Sequence, residues 1–123
     1  MPVVVAGVTV VLVGSWLFRG PAFIDRVTIV NDTAFDVNVD VAGSDGRVLG
    51  LEYVTAGETT VVRDVIDQGG TWEFRFSYGG TDAGTLLRNR SALERSNWTV
   101  EVPQEVEDRL ETAGYTPPPP RGG

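Results

Sequence analysis

Residues 72–78 read Trp-Glu-Phe-Arg-Phe-Ser-Tyr, a strict alternation of aromatic and polar side chains. Successive side chains of a strand point to opposite faces, so the four rings share one side. A row of this kind either fills a core or forms a flat platform for a sugar, and its strict period of two favours the core. The stretch therefore predicts a half-buried β-strand whose inward residues are Trp72, Phe74, Phe76 and Tyr78.

The same period-two pattern recurs along most of the chain. Runs rich in Val and Thr are separated by turns rich in Gly and Asp, which is a β composition. The predicted strands cover residues 26–31, 35–41, 48–54, 59–66, 72–78, 84–88 and 97–102. A spacing of about eight to twelve residues is typical of sandwiches and barrels. The predicted fold class is mainly β, an Ig-like antiparallel β-sandwich of about seven strands.

A short helix is predicted after the last strand, over residues 104–113. Its apolar stripe consists of Val106, Leu110 and Ala113, which fall at helical spacing. Pro103 is suited to the start of a helix, and acidic residues follow it in the first turn. The β-sandwich domain with this helix covers residues 26–114. Residues 115–123 contain four consecutive prolines and are predicted to form a flexible tail.

The N-terminal run at residues 2–18 carries no charged side chain. As a helix it would span about 25 Å, at the short end of the transmembrane range. It predicts a transmembrane anchor over residues 1–18, followed by a juxtamembrane linker over residues 19–25. A cleaved signal peptide and a buried Val-rich strand are the alternatives.

The predicted location is the plasma membrane, crossed once. Arg19 and Arg26 follow the apolar run, and the positive-inside rule taken alone would place the domain in the cytoplasm. The fold type favours an extracytoplasmic domain, which is the expectation adopted.

Composition excludes many kinds of site. The chain has no cysteine, no histidine and no lysine, and its ten arginines face seventeen acidic residues for a net charge of −7. Zinc, haem and iron–sulfur sites, and triads built on histidine or cysteine, need the missing residues. The acidity argues against nucleic acid as a partner. We therefore expect no enzyme activity and no cofactor.

The acidic residues predict no metal site. Oxygen ligands alone would suit calcium, and Asp36, Asn38 and Asp40 alternate along one predicted strand. Their spacing is not that of a calcium-binding loop. They are interpreted as a solvated sheet face.

A local basic patch is the candidate partner contact. It consists of Arg88, Arg90 and Arg95. Such a patch suits an acidic protein or a lipid headgroup. The alternative is that the three arginines are solvated and pair with Glu94 and its neighbours.

Four runs carry a resemblance to a known class of proteins: Val27–Thr33, Val37–Val41, Val54–Thr59 and Trp72–Phe76. Over residues 23–114 the chain resembles small membrane-anchored β-sandwich proteins of actinobacteria. An arginine-only basic set fits a GC-rich genome. Those proteins have no assigned activity, so the resemblance implies no functional residue.

Together these observations predict a non-catalytic, membrane-anchored β-sandwich module that binds or supports a protein partner at the cell envelope. The first alternative is an accessory subunit of a membrane complex, held through Gly7 and Gly14 on one face of the transmembrane helix. The second is a hydrolase that uses a pair of carboxylates.

Overall fold

A computed structural model describes residues 22–44 and 46–117. The described part of the chain is mainly β, with 52% of its residues in strands. The elements are β1 (Phe23–Val30), β2 (Val37–Ala42), β3 (Val48–Val54), β4 (Thr59–Ile66), β5 (Thr71–Tyr78), β6 (Thr81–Asn89), α1 (Arg90–Arg95), β7 (Thr99–Glu101) and α2 (Gln104–Thr112). The predicted anchor lies outside the described residues. Within the described residues, no helix is long and apolar enough to cross a bilayer.

The strands form two sheets, as predicted for a sandwich. One has the order β4-β1-β7 and the other β3-β2-β5-β6. The pairing is antiparallel between β1 and β4 and throughout the four-stranded sheet, as predicted. One pair departs from the predicted antiparallel arrangement, because β7 runs parallel to β1. The helix α1 connects β6 at the edge of the four-stranded sheet to β7 at the edge of the three-stranded sheet.

The aromatic row of β5 lies in the core, as predicted. Trp72, Phe74 and Phe76 are fully buried. Tyr78 is partly buried, and its ring packs edge-on against Phe35. The facing core residues come from both sheets and from the helices, and include Val27, Ile29, Val37, Val39, Val41, Leu93, Val106 and Leu110. One continuous core therefore joins the two sheets and both helices.

The folded part extends past both bounds predicted for the domain, 26 and 114. Strand β1 begins at Phe23, inside the predicted linker 19–25, because Phe23 pairs with Ile66 at the end of β4. At the other end, Tyr115 belongs to the fold and not to a flexible tail. Its ring packs against Tyr78 with centroids 5.1 Å apart, and its hydroxyl lies 2.7 Å from the Thr81 hydroxyl.

A buried polar network holds the loop between β1 and β2. The Asn31 amide nitrogen donates to the carbonyls of Phe35 (2.8 Å) and Val54 (3.0 Å). Its oxygen accepts from the N–H (3.0 Å) and the hydroxyl (2.7 Å) of Thr33. Because both ends of the amide are used, one fully buried side chain ties β1, β2 and β3 together.

Asp36 was expected on a solvated face and is instead buried, with 7% of its surface exposed. One carboxylate oxygen accepts from the Ala56 N–H at 2.9 Å, and the other accepts from the Tyr53 hydroxyl at 3.0 Å. Asp36 precedes β2 and fastens the β3–β4 turn to it. Its role is therefore structural.

Candidate functional site

The three predicted contact arginines lie on two consecutive elements, Arg88 near the end of β6 and the other two at the ends of α1. Arg88 is exposed near the end of β6 and donates to the carbonyl of its neighbour Leu87. Arg90 opens α1 and Arg95 closes it. Five residues along a helix correspond to a rotation of roughly 140°, so Arg90 and Arg95 leave α1 in different directions. Only Arg90, among these three in the described part of the chain, has an ion-pair partner.

Arg90 braces α1 against the turn after β4. Its Nη1 lies 2.7 Å from Asp67 Oδ1, and its Nε lies 3.6 Å from Glu94 Oε2. The guanidinium carbon lies 5.6 Å from the centre of the Trp98 ring, within the range of a cation–π contact. A planar, permanently charged side chain can make all three contacts at once.

The contact between Arg90 and Asp67 shifts the pKa of both side chains. The hydrogen bond from Arg90 holds the pKa of Asp67 below its ordinary value of 3.8, against the raising effect of burial. The backbone N–H of Gly69 also donates to Asp67 and lowers its pKa further. The hydrogen bond with Asp67 in turn raises the pKa of Arg90.

The Asp67–Arg90 pair predicts a pH-dependent contribution to stability. A carboxyl whose pKa is lowered by folding stabilises the fold above its ordinary pKa, and this contribution is lost as the pH falls through the folded value. The melting temperature of Asp67→Asn should therefore lie below that of the wild type near pH 7, and the gap should narrow below about pH 3.8. Thermal melts monitored by circular dichroism between pH 7 and pH 2.5 measure the gap.

The control for this prediction is Asp32→Asn, at an exposed carboxyl without an ion pair among the described residues. Its melting curve should follow that of the wild type at neutral pH. A difference in melting temperature between Asp67→Asn and the wild type that is constant with pH, or that widens in acid, would contradict the assignment of Asp67 as an ionised partner of Arg90.

The backbone between α1 and β7 is strained. Asn97 and Trp98 both have φ of 57°, a conformation that is rare for a residue as bulky as tryptophan. The Trp98 N–H donates to the Leu93 carbonyl at 2.7 Å, which holds the turn. The strain places the Trp98 ring against Trp72, with centroids 5.3 Å apart, and beneath Arg90. Strain of this kind is concentrated at functional sites.

A cleft of about 470 Å³ lies beside this turn. It is lined by Phe23, Ile24, Asp25, Arg26, Arg90, Glu94, Asn97 and Trp98. One wall is the first half of β1, and the other is α1 with the strained turn. The brace and the strained turn therefore both shape the same cleft.

The cleft exists because β7 is short. Parallel pairing between β1 and β7 begins at Thr28 and covers three residues of β1. The last strand was predicted over residues 97–102, but the left-handed backbone at Asn97 and Trp98 takes them out of the extended conformation. Within the described residues, the first half of β1 has no strand neighbour on this side.

Arg26 is the second arginine that lines the cleft, beside Arg90. It is exposed and has no ion-pair partner among the described residues. Arg63 stands directly opposite it on β4. Like charges in directly opposed positions destabilise a sheet, so the pairing with β4 does not explain an arginine at position 26.

No family model, curated protein or solved structure matches this chain. The candidate site therefore depends on geometry alone. Within residues 22–44 and 46–117, no group of three or more acidic side chains is arranged to hold a metal ion.

Sequence reasoning found Arg90 but not the cleft. Arg26 entered the prediction only as a charge after the apolar run, and Trp98 only as part of the strand predicted over residues 97–102. Trp98 is in fact partly buried, with one side of its ring in the core and the other beneath Arg90. The Asn97-Trp98 pair carried the available signal, since asparagine is the residue other than glycine that adopts a left-handed backbone most readily.

Proposed function

We propose that this chain is a non-catalytic module of the bacterial cell envelope that binds a protein partner in the cleft between β1 and α1. The apolar run at residues 2–18 holds it in the plasma membrane, with the β-sandwich on the extracytoplasmic side. The observation that carries the proposal is the cleft itself, an open strand edge beside a strained turn and an uncommitted arginine.

The position of the cleft supports this proposal. Its lining begins at Phe23, five residues after the end of the apolar run. The intervening residues can span at most about 18 Å when fully extended. A partner in the cleft would therefore be held close to the membrane surface.

The walls of the cleft support a binding role because they are held in place by the core. Leu93 of α1 is buried, and so is Val27 at the inner end of the β1 wall. Asn89 caps α1 by accepting from the Ala92 N–H at 2.8 Å. A site on rigid elements loses little entropy when it binds.

Full-length protein is expected to stay in the membrane pellet through an alkaline carbonate wash. When it is solubilised in mild detergent, it should bring down a partner protein. Arg26→Glu, in the cleft, should lose that partner, because a like charge in a binding site strongly disfavours an acidic ligand. Carbonate extraction and co-purification followed by mass spectrometry measure the two parts.

Arg63→Glu is the matched control, because Arg63 lies opposite Arg26 on the same pair of strands but does not line the cleft. It should keep the partner. Mature protein without residues 1–18 would exclude the anchor. A partner that is retained by Arg26→Glu but lost when Gly7 and Gly14 are replaced by leucine would support the membrane-subunit alternative instead.

A further inference from the structure

The cleft reaches the edge of β1 that lies on the side away from β4. Its lining includes four consecutive residues of that strand, from Phe23 to Arg26. Successive side chains of a strand point to opposite faces. The opposite side of the cleft is formed by α1 and by the turn at Asn97 and Trp98, so the cleft extends beside the strand on the side of β7.

The main chain of Arg26 faces this cleft. The Thr28 N–H points toward β7, since it donates to the Trp98 carbonyl at 2.8 Å. Residues 26 to 28 pair with β4 in regular register, so the N–H and C=O groups of Arg26 point to the same side as those of Thr28. Pairing with β7 has not yet begun at Arg26. A donor and an acceptor are thus presented at the open edge.

The charges of the cleft favour one acidic group in the ligand. Arg90 is already engaged by Asp67 and Glu94, whereas Arg26 is free of ion pairs within the described residues. Asp25 and Glu94 also line the cleft and would repel further acidic groups. The complementary ligand carries a single carboxylate among uncharged side chains.

We infer that the partner of this cleft is an extended peptide segment with one acidic side chain, which adds as a strand to the open edge of β1. Its main chain pairs with Arg26, and its carboxylate binds the Arg26 guanidinium. Strand addition of this kind derives affinity from main-chain hydrogen bonds and specificity from side-chain contacts. The inference rests on the proposed function, because it names the chemistry of the partner.

The probe is a library of random heptapeptides displayed on phage and selected on the full-length protein in detergent. Enriched peptides should carry one Asp or Glu within a run of Val, Ile, Thr or Tyr. Their affinity, measured as synthetic peptides by fluorescence anisotropy, should fall about tenfold or more with Arg26→Ala, since a charge-assisted hydrogen bond is lost. Arg63→Ala should bind like the wild type.

Methylation of the peptide amides tests the main-chain pairing. Only alternate amides of an added strand face β1. Methylating one alternate set should abolish binding, while methylating the other set should leave it largely intact. Arg26→Pro, which removes the edge N–H as well as the guanidinium, should bind more weakly than Arg26→Ala. Circular dichroism melts of both variants identify any loss of folding.

Three results would overturn the inference: no enriched peptide, enrichment of helical or proline-rich sequences, or equal effects of both methylation sets. These results are separable from a failure of the proposed function. If a co-purifying partner is lost with Arg26→Glu but no peptide binds, the proposal of a binding module stands and strand addition is rejected. If peptides bind but the protein is absent from the membrane pellet, strand addition stands and the membrane anchor of the proposed function is rejected.

Discussion

Phe74→Ala is expected to destabilise the domain by about 3–5 kcal/mol, because it removes a fully buried ring and leaves a cavity. A domain of this size has a free energy of unfolding of about 5–14 kcal/mol. The variant should therefore be marginally folded or unfolded at room temperature. Urea denaturation of the full-length protein, followed by tryptophan fluorescence, measures the loss.

The matched control is Arg75→Ala, one residue along the same strand and on the opposite face. Arg75 pairs with Glu73 at 3.2 Å, with side chains 43% and 34% exposed. Exposed pairs contribute little, so the cost should stay below about 1 kcal/mol. The reverse order of the two costs would mean that the aromatic row faces outward and that the register of β5 is wrong.

Asn31→Ala is expected to cost about 2–4 kcal/mol, although it removes only one small polar side chain. The Thr33 N–H loses its acceptor, and the Phe35 and Val54 carbonyls lose a donor, in a loop shielded from water. Buried polar groups left unpaired carry their full desolvation cost. The same urea titration measures the change in midpoint.

Asn38→Ala provides the comparison, because Asn38 is an exposed asparagine on β2. Its cost should be a few tenths of a kcal/mol. Equal effects at the two positions would show that the Asn31 network contributes nothing beyond the strand itself.

The fold was predictable where burial alone determines the pattern. The period-two row of β5 required only that one face be buried, and it is confirmed. The helix predicted over residues 104–113 is found at Gln104–Thr112 for the same reason, with Val106 and Leu110 buried. Both are elements in which local pattern and tertiary packing agree.

Tertiary geometry explains the errors. A strict period of two along the predicted strand 48–54 places Tyr53 on the same face as Leu49 and Leu51, but the pairing of β2 with β3 shifts by one residue at Val39/Asp40. This bulge moves Tyr53 to the outer face, where it is 56% exposed. Asp36 is buried because its partners, Tyr53 near the end of β3 and Ala56 in the β3–β4 turn, are distant in the sequence. No local pattern encodes either contact.

The candidate site was only partly predictable. Composition identified Arg90 as a basic residue in an acidic domain, and it does line the cleft. The cleft itself depends on where β7 stops, and two left-handed residues determine that point. Arg26 becomes a candidate binding residue because, within the described residues, the pairing of β1 with β7 begins only at Thr28.

Amide hydrogen exchange at Arg26 tests the open edge most directly. In the free protein, its N–H should exchange much faster than that of Thr28, which is bonded to the Trp98 carbonyl. A selected acidic peptide should slow exchange at Arg26 strongly and leave Arg63 unchanged. Protection of the Arg26 amide in the free protein, or no change when the peptide is bound, would contradict strand addition at β1.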